Sequence, residues 1–214
     1  MKPLLLYCYD AYCGWCYGFS PVIKRITEEF SSFLDSEVYS GGMILPEKPV
    51  HISATANYIS TAYKRVEEMT GVTFGNDYLW HILNPGESDW YPSSLKPSIA
   101  MCVLKSYYPQ QSVEFATDFQ YALHFEGRDL TDDEAYRHLL IKYSIDPDDF
   151  YRKLKSDEFK EAAQYEFEIV KQLEVTGYPS VFIQLKESSF HKVAEGFTAY
   201  EILKDRIVSV LGTS

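Results

Sequence analysis

The sequence predicts an α/β protein in which a block of helices interrupts a smaller unit built of strands and helices. Short apolar stretches typical of strands occur only near the two ends, at residues 4–9, 37–39, 180–185 and 191–194. Between them, apolar residues recur every three or four positions, which is the spacing of one helical face. The expected order is therefore β-α-β, a run of helices, and then β-β-α.

The composition and charge narrow the class of protein. The chain has 214 residues, of which 46% are hydrophobic and 24% charged, as in a globular protein with a sizeable core. A formal net charge of −11 without a run of Lys or Arg argues against nucleic acid as a partner. No apolar stretch is long enough for a membrane span, so no membrane partner is expected. The N-terminal apolar stretch is too short for a secretory signal, so we expect a cytoplasmic protein.

The N-terminal unit is predicted to place a strand directly before a helix. The apolar and aromatic run Leu4–Tyr9 indicates a buried strand. A helical face follows from Gly14 to Phe33. Glu37–Tyr39, followed by the glycines at 41 and 42, indicates a second strand and a turn.

The middle of the chain is predicted to be helical, and three of its helices have start signals in the sequence. The loop Asn84–Pro92 is rich in Pro, Gly, Ser and Asp. The expected helices and their signals are Ser53–Thr70, Pro97–Tyr107, Ser112–Phe125, Ala135–Tyr143 after a Thr131/Glu134 capping box, a helix opened by Asp146 and Pro147, and Phe159–Glu174 capped by Ser156.

The C-terminal part returns to strands. Ser180–Leu185 and His191–Ala194 indicate two strands joined by a turn at Lys186–Ser189, and Tyr200–Leu211 indicates a closing helix. We therefore predict one domain from residues 1–48 and 175–214, with a helical domain at 49–174 inserted into it.

Two cysteines at the predicted junction of strand and helix suggest redox chemistry. Cys13 would lie at the helix N-terminus, where unpaired N–H groups and the helix dipole stabilise a thiolate. Cys16 would lie one turn further in, placed to attack a mixed disulfide formed at Cys13. This spacing predicts Cys13 as the nucleophile and more exposed thiol, with Cys16 as the resolving thiol.

Zinc is the alternative that a C-x-x-C pair leaves open. A structural zinc site normally needs a second pair of ligands with similar spacing. Cys8 and Cys102 are isolated in the sequence, and the five histidines form no such pair. Cys8 and Cys102 are therefore expected in the core, and no metal is expected.

The motifs resemble those of the thioredoxin superfamily. Cys13-Gly14-Trp15-Cys16 at a strand-to-helix junction is similar to that family's active site, and Pro21 matches its helix-kinking proline. The stretch from Val175 to Phe182 resembles its cis-proline loop. The resemblance implies that the Tyr178–Pro179 bond is cis and faces the cysteine pair. It also implies that Trp15, Tyr178 and Pro179 contribute to substrate binding.

The long helical stretch between the motifs is similar to DsbA-like proteins, in which a large helical domain is inserted into a thioredoxin fold. The pattern from Asp10 to Phe19 resembles a cytoplasmic branch, the predicted protein disulfide isomerases of the FrnE type. This implies a thiol–disulfide oxidoreductase that acts on protein or peptide disulfides as an isomerase or reductase. It implies no bound cofactor, with glutathione or thioredoxin as the thiol reductant.

The resemblance leaves the direction of the reaction open, because Gly14-Trp15 and Tyr178 differ from the usual residues of the family. Gly14-Trp15 offers few groups to stabilise the thiolate, and Asp10 disfavours a further negative charge. We therefore expect a reduction potential between about −270 mV and about −180 mV, and a pair that is largely reduced in the cytosol.

Two further functions remain as alternatives. A glutathione-dependent isomerase or kappa-type transferase shares the inserted domain, but such enzymes carry one serine or cysteine where this chain keeps a pair. A chaperone module would bind polypeptide without using its thiols. The aromatic residues near the motifs form either a platform for unfolded polypeptide or part of the core: Tyr9, Tyr12, Trp15, Tyr17 and Tyr178. Asp10 is either a proton shuttle for the pair or a loop carboxylate that caps the helix backbone.

Overall fold

The computed structural model describes residues 2–212, which form four strands and nine α-helices. Two 3-10 turns, Pro109–Gln111 and Asp133–Tyr136, precede α5 and α6 in this series. The strands are β1 (Leu4–Tyr9), β2 (Asp35–Ser40), β3 (Ser180–Lys186) and β4 (Ser189–Glu195), and the helices are α1 (Gly14–Phe30), α2 (Ser53–Thr70), α3 (Asn76–Leu83), α4 (Leu95–Tyr107), α5 (Ser112–His124), α6 (Arg137–Lys142), α7 (Pro147–Leu154), α8 (Asp157–Gln172) and α9 (Tyr200–Gly212).

The four strands form one mixed sheet in the order β2-β1-β3-β4. β1 runs parallel to β2 and antiparallel to β3, and β4 pairs antiparallel with β3. In this register Tyr7 lies between Val38 of β2 and Val181 of β3. β1 is therefore a central strand, and the loop to α1 leaves it just beyond its pairing with both neighbours.

Alternate residues of β1 serve two different parts of the core, as the pleat of a strand requires. Leu5, Tyr7 and Tyr9 join the main core, in which the ring of Tyr7 contacts Phe19 of α1. Leu6 and Cys8 face the other way and pack with Val170 of α8 and with Phe182. The expectation that Cys8 is a core residue is confirmed, because its side chain has no exposed area.

Helix α2 approaches α1 closely at Gly18. A Cβ atom at this position would lie 2.8 Å from the Thr70 side chain and 2.9 Å from that of Val66, both on α2. A larger residue there would force the Thr70 and Val66 side chains, or the helices that carry them, to shift, so glycine permits this close approach. This contact places the C-terminal part of α2 against the N-terminal part of α1.

Several predicted elements agree with the structure, and the differences have local causes. Asp146 and Ser156 cap α7 and α8 as expected. The Thr131/Glu134 capping box is wrong: Asp132 accepts the hydrogen bond from the Glu134 N–H, at the start of a 3-10 turn rather than of a helix.

Two further differences concern the ends of helices. Phe33 does not extend the face of α1, because that helix ends at Phe30 and the Phe33 side chain is mostly exposed. The short helix α3 was not predicted, since its N-cap is Gly75, which has no side chain to cap it. Within residues 2–212, no helix combines the length and the apolar character that crossing a bilayer requires.

Candidate active site

Cys13 lies at the N-terminal end of α1, where the loop from β1 becomes helical. It is the N-cap residue, with φ −82° and ψ 108°, and its sulfur accepts a hydrogen bond from the Cys16 N–H at 3.4 Å. Its backbone N–H donates to the Asp10 carbonyl at 3.1 Å, which fixes the turn that carries it. A thiolate at Cys13 would therefore receive a backbone N–H and the favourable end of the helix dipole.

Both thiols of the pair are free, and they differ in access. The side chain of Cys13 is 7% exposed, whereas that of Cys16 has no exposed area. Burial raises the pKa of Cys16 well above its ordinary value, and the hydrogen bond and charge of Cys13 raise it further. The expectation that Cys13 is the more accessible thiol is confirmed, and burial favours the protonated form of Cys16.

The loop before β3 lies against the pair. The Tyr178–Pro179 bond is cis, as the sequence predicts, and the Cys13 thiol donates a hydrogen bond to the Tyr178 carbonyl at 3.5 Å. The Tyr178 hydroxyl donates to the Gly41 carbonyl at 2.9 Å. A Cβ atom at Gly41 would lie 2.1 Å from the Tyr178 ring, so this contact needs glycine. The Pro179 carbonyl accepts from the Gly196 N–H at 2.8 Å, which ties the loop to the end of β4.

Asp10 is buried and holds the loop between β1 and α1. One carboxylate oxygen accepts hydrogen bonds from the Tyr12 N–H at 3.0 Å and from the Ser94 hydroxyl at 2.9 Å. The other oxygen accepts from the Met43 N–H at 2.7 Å. Burial raises the pKa of Asp10, and these donors oppose that rise. Its contacts fit a carboxylate that organises the loop, and they leave the proton-shuttle role as a prediction.

A mostly apolar cavity of about 420 Å³ opens beside Cys13. Tyr12, Cys13 and Trp15 form its base, and Tyr178 forms one side. The helical block supplies the opposite wall from α2 and the segment that follows it: Thr55, Tyr58, Ile59, Ala62, Tyr63, Val66, Phe74 and Tyr78. The cavity therefore lies between the sheet unit and the helical block.

The aromatic residues near the motifs divide between the two predicted roles. Tyr12, Trp15 and Tyr178 line the cavity. Tyr9 and Tyr17 are buried in the core instead, and the Tyr17 ring stacks on His124. Only part of the predicted aromatic platform is therefore present.

The cavity wall formed by α2 is the part of the site that sequence reasoning did not identify. Tyr58 is 68% exposed, and Ile59 and Tyr63 are partly buried. The signal was present, because α2 is an 18-residue helix that contains apolar residues of which few are buried. An apolar helical face that the core does not cover is typical of a binding surface.

The remaining cysteines lie away from the pair. Burial raises the pKa of Cys8 to about 12, and the charge of Glu166 adds to this. Burial also raises the pKa of Cys102, whose thiol donates to Glu166 at 3.4 Å. Both are buried thiols, as expected. In the described residues, 2–212, no group of three or more His, Cys, Asp or Glu side chains is arranged to hold a metal ion.

A cysteine pair at a helix start, facing a cis-proline loop on a four-stranded mixed sheet, defines the class of thioredoxin-fold proteins. The chain belongs to the family of DsbA-like thioredoxin domains, which matches residues 5–208. Members of this family are thiol–disulfide oxidoreductases. The thioredoxin fold with a helical insertion, predicted from the sequence, is confirmed. The exact domain boundaries stay a prediction.

The similarity to known proteins extends over nearly the whole chain. A structure from Nitrosomonas europaea, provisionally assigned as a protein disulfide isomerase, superposes with a TM-score of 0.87 at 22% identity, covering 100% of this chain and 99% of that one. The cytosolic disulfide reductase DsbM from Pseudomonas aeruginosa, also solved with GSH, superposes with a TM-score of 0.78 at 20% identity, covering 99% of this chain and 100% of that one. The ClpXP adapter protein SpxH of Bacillus subtilis is 20% identical over 216 residues, which are 99% of this chain and 69% of that protein.

Proposed function

We propose that this protein is a dithiol–disulfide oxidoreductase that reduces or reshuffles protein disulfides, with Cys13 as the nucleophile and Cys16 as the resolving thiol. The observation that carries the proposal is the position of the Cys13 sulfur. It lies on the apolar cavity, at a helix N-terminus, and 3.5 Å from the Tyr178 carbonyl. A thiol in this position is accessible to a substrate while its partner Cys16 is not.

The reaction has two balanced steps. The Cys13 thiolate attacks one sulfur of a substrate disulfide, a mixed disulfide forms, and the other substrate sulfur leaves as a thiolate. Cys16 then attacks the Cys13 sulfur, the Cys13–Cys16 disulfide forms, and the second substrate sulfur leaves. The substrate gains two electrons from the pair, and the two protons of the pair pass to the two released thiols. A thiol reductant of the glutathione or thioredoxin class then restores the pair.

The cavity supports a polypeptide substrate. Among the described residues that line it there is no Lys, Arg or His, so a glutathione carboxylate would find no cationic partner there. The tyrosines and aliphatic residues of the wall instead suit an apolar side chain next to the substrate cysteine. We therefore assign substrate binding to Trp15, Tyr178 and the loop at Pro179, together with α2. Glutathione remains a candidate reductant, because a reductant needs only to reach the Cys13 sulfur of the Cys13–Cys16 disulfide.

The proposed direction is reduction or isomerisation in a reducing compartment. It is supported by the fold shared with DsbM, a cytosolic disulfide reductase. It is also supported by the deep burial of Cys16 and the net charge of −11, which add nothing to stabilise an anionic thiolate. An intact pair argues against the alternative of a glutathione-dependent isomerase or kappa-type transferase.

The test uses single substitutions at the pair. Cys13→Ser should abolish the reduction of insulin by glutathione, because the attacking thiolate is lost. Cys16→Ser should leave the first step intact and trap a mixed disulfide, which intact-mass spectrometry detects. Cys8→Ala is the matched control, since Cys8 is also a buried thiol but lies on the other face of β1. A fully active Cys13→Ser protein would refute the role assignment.

A second candidate is a polypeptide-binding module whose thiols are not used. It is favoured by the exposed side of α2 and by the similarity to an adapter protein. The two functions separate in one comparison. If Cys13→Ser loses reductase activity but still suppresses aggregation of an unfolded protein, binding is independent of the chemistry. If wild type shows suppression without any reductase activity, the binding module is the correct function.

A further inference from the structure

A buried amide on α5 contacts the turn that carries the nucleophile. The Gln120 side chain has no exposed area, and its Nε2 donates a hydrogen bond to the Asp10 carbonyl at 2.7 Å. The same carbonyl accepts the Cys13 N–H at 3.1 Å. One oxygen just beyond β1 therefore receives two donors, one from the cysteine turn and one from a helix 110 residues further along the chain.

We propose that Gln120 is a positioning residue for the Cys13 thiol: by holding the Asp10 carbonyl, it fixes the turn that presents the Cys13 sulfur to the substrate. The inference rests on the proposed function, since only a reacting thiol needs a fixed position. The Cys13 sulfur accepts the Cys16 N–H at 3.4 Å and lies 3.5 Å from the Tyr178 carbonyl. A tilt of the Cys13 backbone would change both distances, and the Cys13 N–H is anchored on the carbonyl that Gln120 holds.

The hydrogen bonding of the Gln120 amide supports a role beyond filling space. Its Oε1 is buried and has no hydrogen-bond partner among the described residues. A buried polar atom without a partner destabilises a fold, and an apolar side chain of similar length would avoid that penalty. The bond from Nε2 to the Asp10 carbonyl is the contact that offsets it. Because a carbonyl can only accept, this contact also fixes which end of the amide faces the turn.

The helix that carries Gln120 is itself packed against the start of α1. The His124 Nδ1–H donates to the Gln120 carbonyl at 3.0 Å, and the His124 ring stacks on Tyr17 with a centroid distance of 5.1 Å. Ser94 of α4 meanwhile donates to the Asp10 carboxylate. The helical block therefore holds both the main chain and the side chain of Asp10, at the point where the cysteine turn begins.

The experiment measures how fast Cys13 attacks Ellman's reagent, a disulfide that releases one coloured thiolate in this first step. Because the reagent is small, the rate does not depend on polypeptide binding. Gln120→Met keeps the approximate length of the side chain and loses the donor. The first release should therefore slow by about fivefold, the size expected when one hydrogen bond is lost.

Gln120→Glu separates the hydrogen bond from the shape of the side chain. Its carboxyl group can donate to the Asp10 carbonyl only while it is protonated, and burial favours that form. The rate of the first release, relative to the unsubstituted protein at the same pH, should therefore be higher at pH 6 than at pH 8. His124 stays neutral across this range, because burial lowers its pKa to about 4.

Phe119→Leu is the matched control for lost stability. Phe119 precedes Gln120 on the same helix, has no exposed area, and packs against Tyr136 at a centroid distance of 5.5 Å. This variant should lose unfolding free energy in urea while the first release keeps its rate. Three outcomes would overturn the inference and leave the proposed function standing: an unchanged first release in Gln120→Met, equal slowing in Phe119→Leu, or a relative rate in Gln120→Glu that does not change with pH. Absence of the first release in the unsubstituted protein would overturn both.

Discussion

Ser94 connects the start of α4 to the loop that carries the cysteine pair, and its removal tests how that loop is held. The side chain is 1% exposed. Its hydroxyl donates to the Asp10 carboxylate at 2.9 Å and accepts from the Ile44 N–H at 3.0 Å. In Ser94→Ala the carboxylate loses one donor, and the Ile44 N–H loses its acceptor inside the protein.

The size of the effect follows from these two contacts. A hydrogen bond to a charged group contributes about 1.5–3 kcal/mol, and a buried unsatisfied N–H costs about 1–3 kcal/mol. Because the loop relaxes and the two losses are not additive, we expect about 3 kcal/mol of lost unfolding free energy. For a chain of this length each kcal/mol lowers Tm by about 2–4 °C, so Tm should fall by about 6–12 °C.

The assay is urea denaturation of Ser94→Ala beside Ser98→Ala. Ser98 is buried on the same helix, and its hydroxyl donates only to the Ser94 carbonyl, which already accepts the Ser98 N–H. Ser98→Ala should therefore cost less than about 1 kcal/mol, as expected for a neutral hydrogen bond whose acceptor keeps a partner. If the two variants lose the same stability, the Asp10 network does not hold the loop as described.

Two further predictions concern the potential and the pH. The Cys13–Cys16 pair, equilibrated in glutathione buffers, should have a potential between about −270 mV and about −180 mV, and a value near −120 mV would reverse the proposed direction. Burial lowers the pKa of His124 to about 4, so the folded state favours the neutral ring. The stability that His124 contributes is therefore complete above about pH 6.5 and is lost as the pH falls toward 4, at a cost of about 3 kcal/mol. The unfolding free energy, measured by denaturation at several pH values in this range, should depend less on pH in His124→Gln than in the unsubstituted protein. An equal dependence on pH in the two proteins would contradict the assignment.

The sequence predicts β1 and α2 with their observed bounds because each has a clear pattern between clear stops. An alternation or a helical face is local, so neighbouring residues suffice to predict it. The helix at Asn76–Leu83 had no such pattern or cap. The Thr131/Glu134 motif was equally suggestive and wrong, because the neighbouring Asp132 competes for the same N–H.

The candidate site shows the same division between local and distant contacts. Cys13 and Cys16 were predictable because their chemistry depends on spacing and on the helix start. The partners of Asp10 were not, since Ser94 lies far along the chain and reaches the loop only after α4 has packed.

Because α2 packs closely against α1 at Gly18, residues of α2 lie across the cavity from the cysteine pair. The reactive thiols and the cavity wall therefore come from different stretches of the chain. The thiols and their proline loop come from the sheet unit, while much of the cavity wall comes from α2. Residues such as Tyr58 and Ile59 can therefore change without altering any contact of the pair. Under the proposed function, substitutions on one face of α2 would change which polypeptides bind and leave the redox behaviour of the pair as it is.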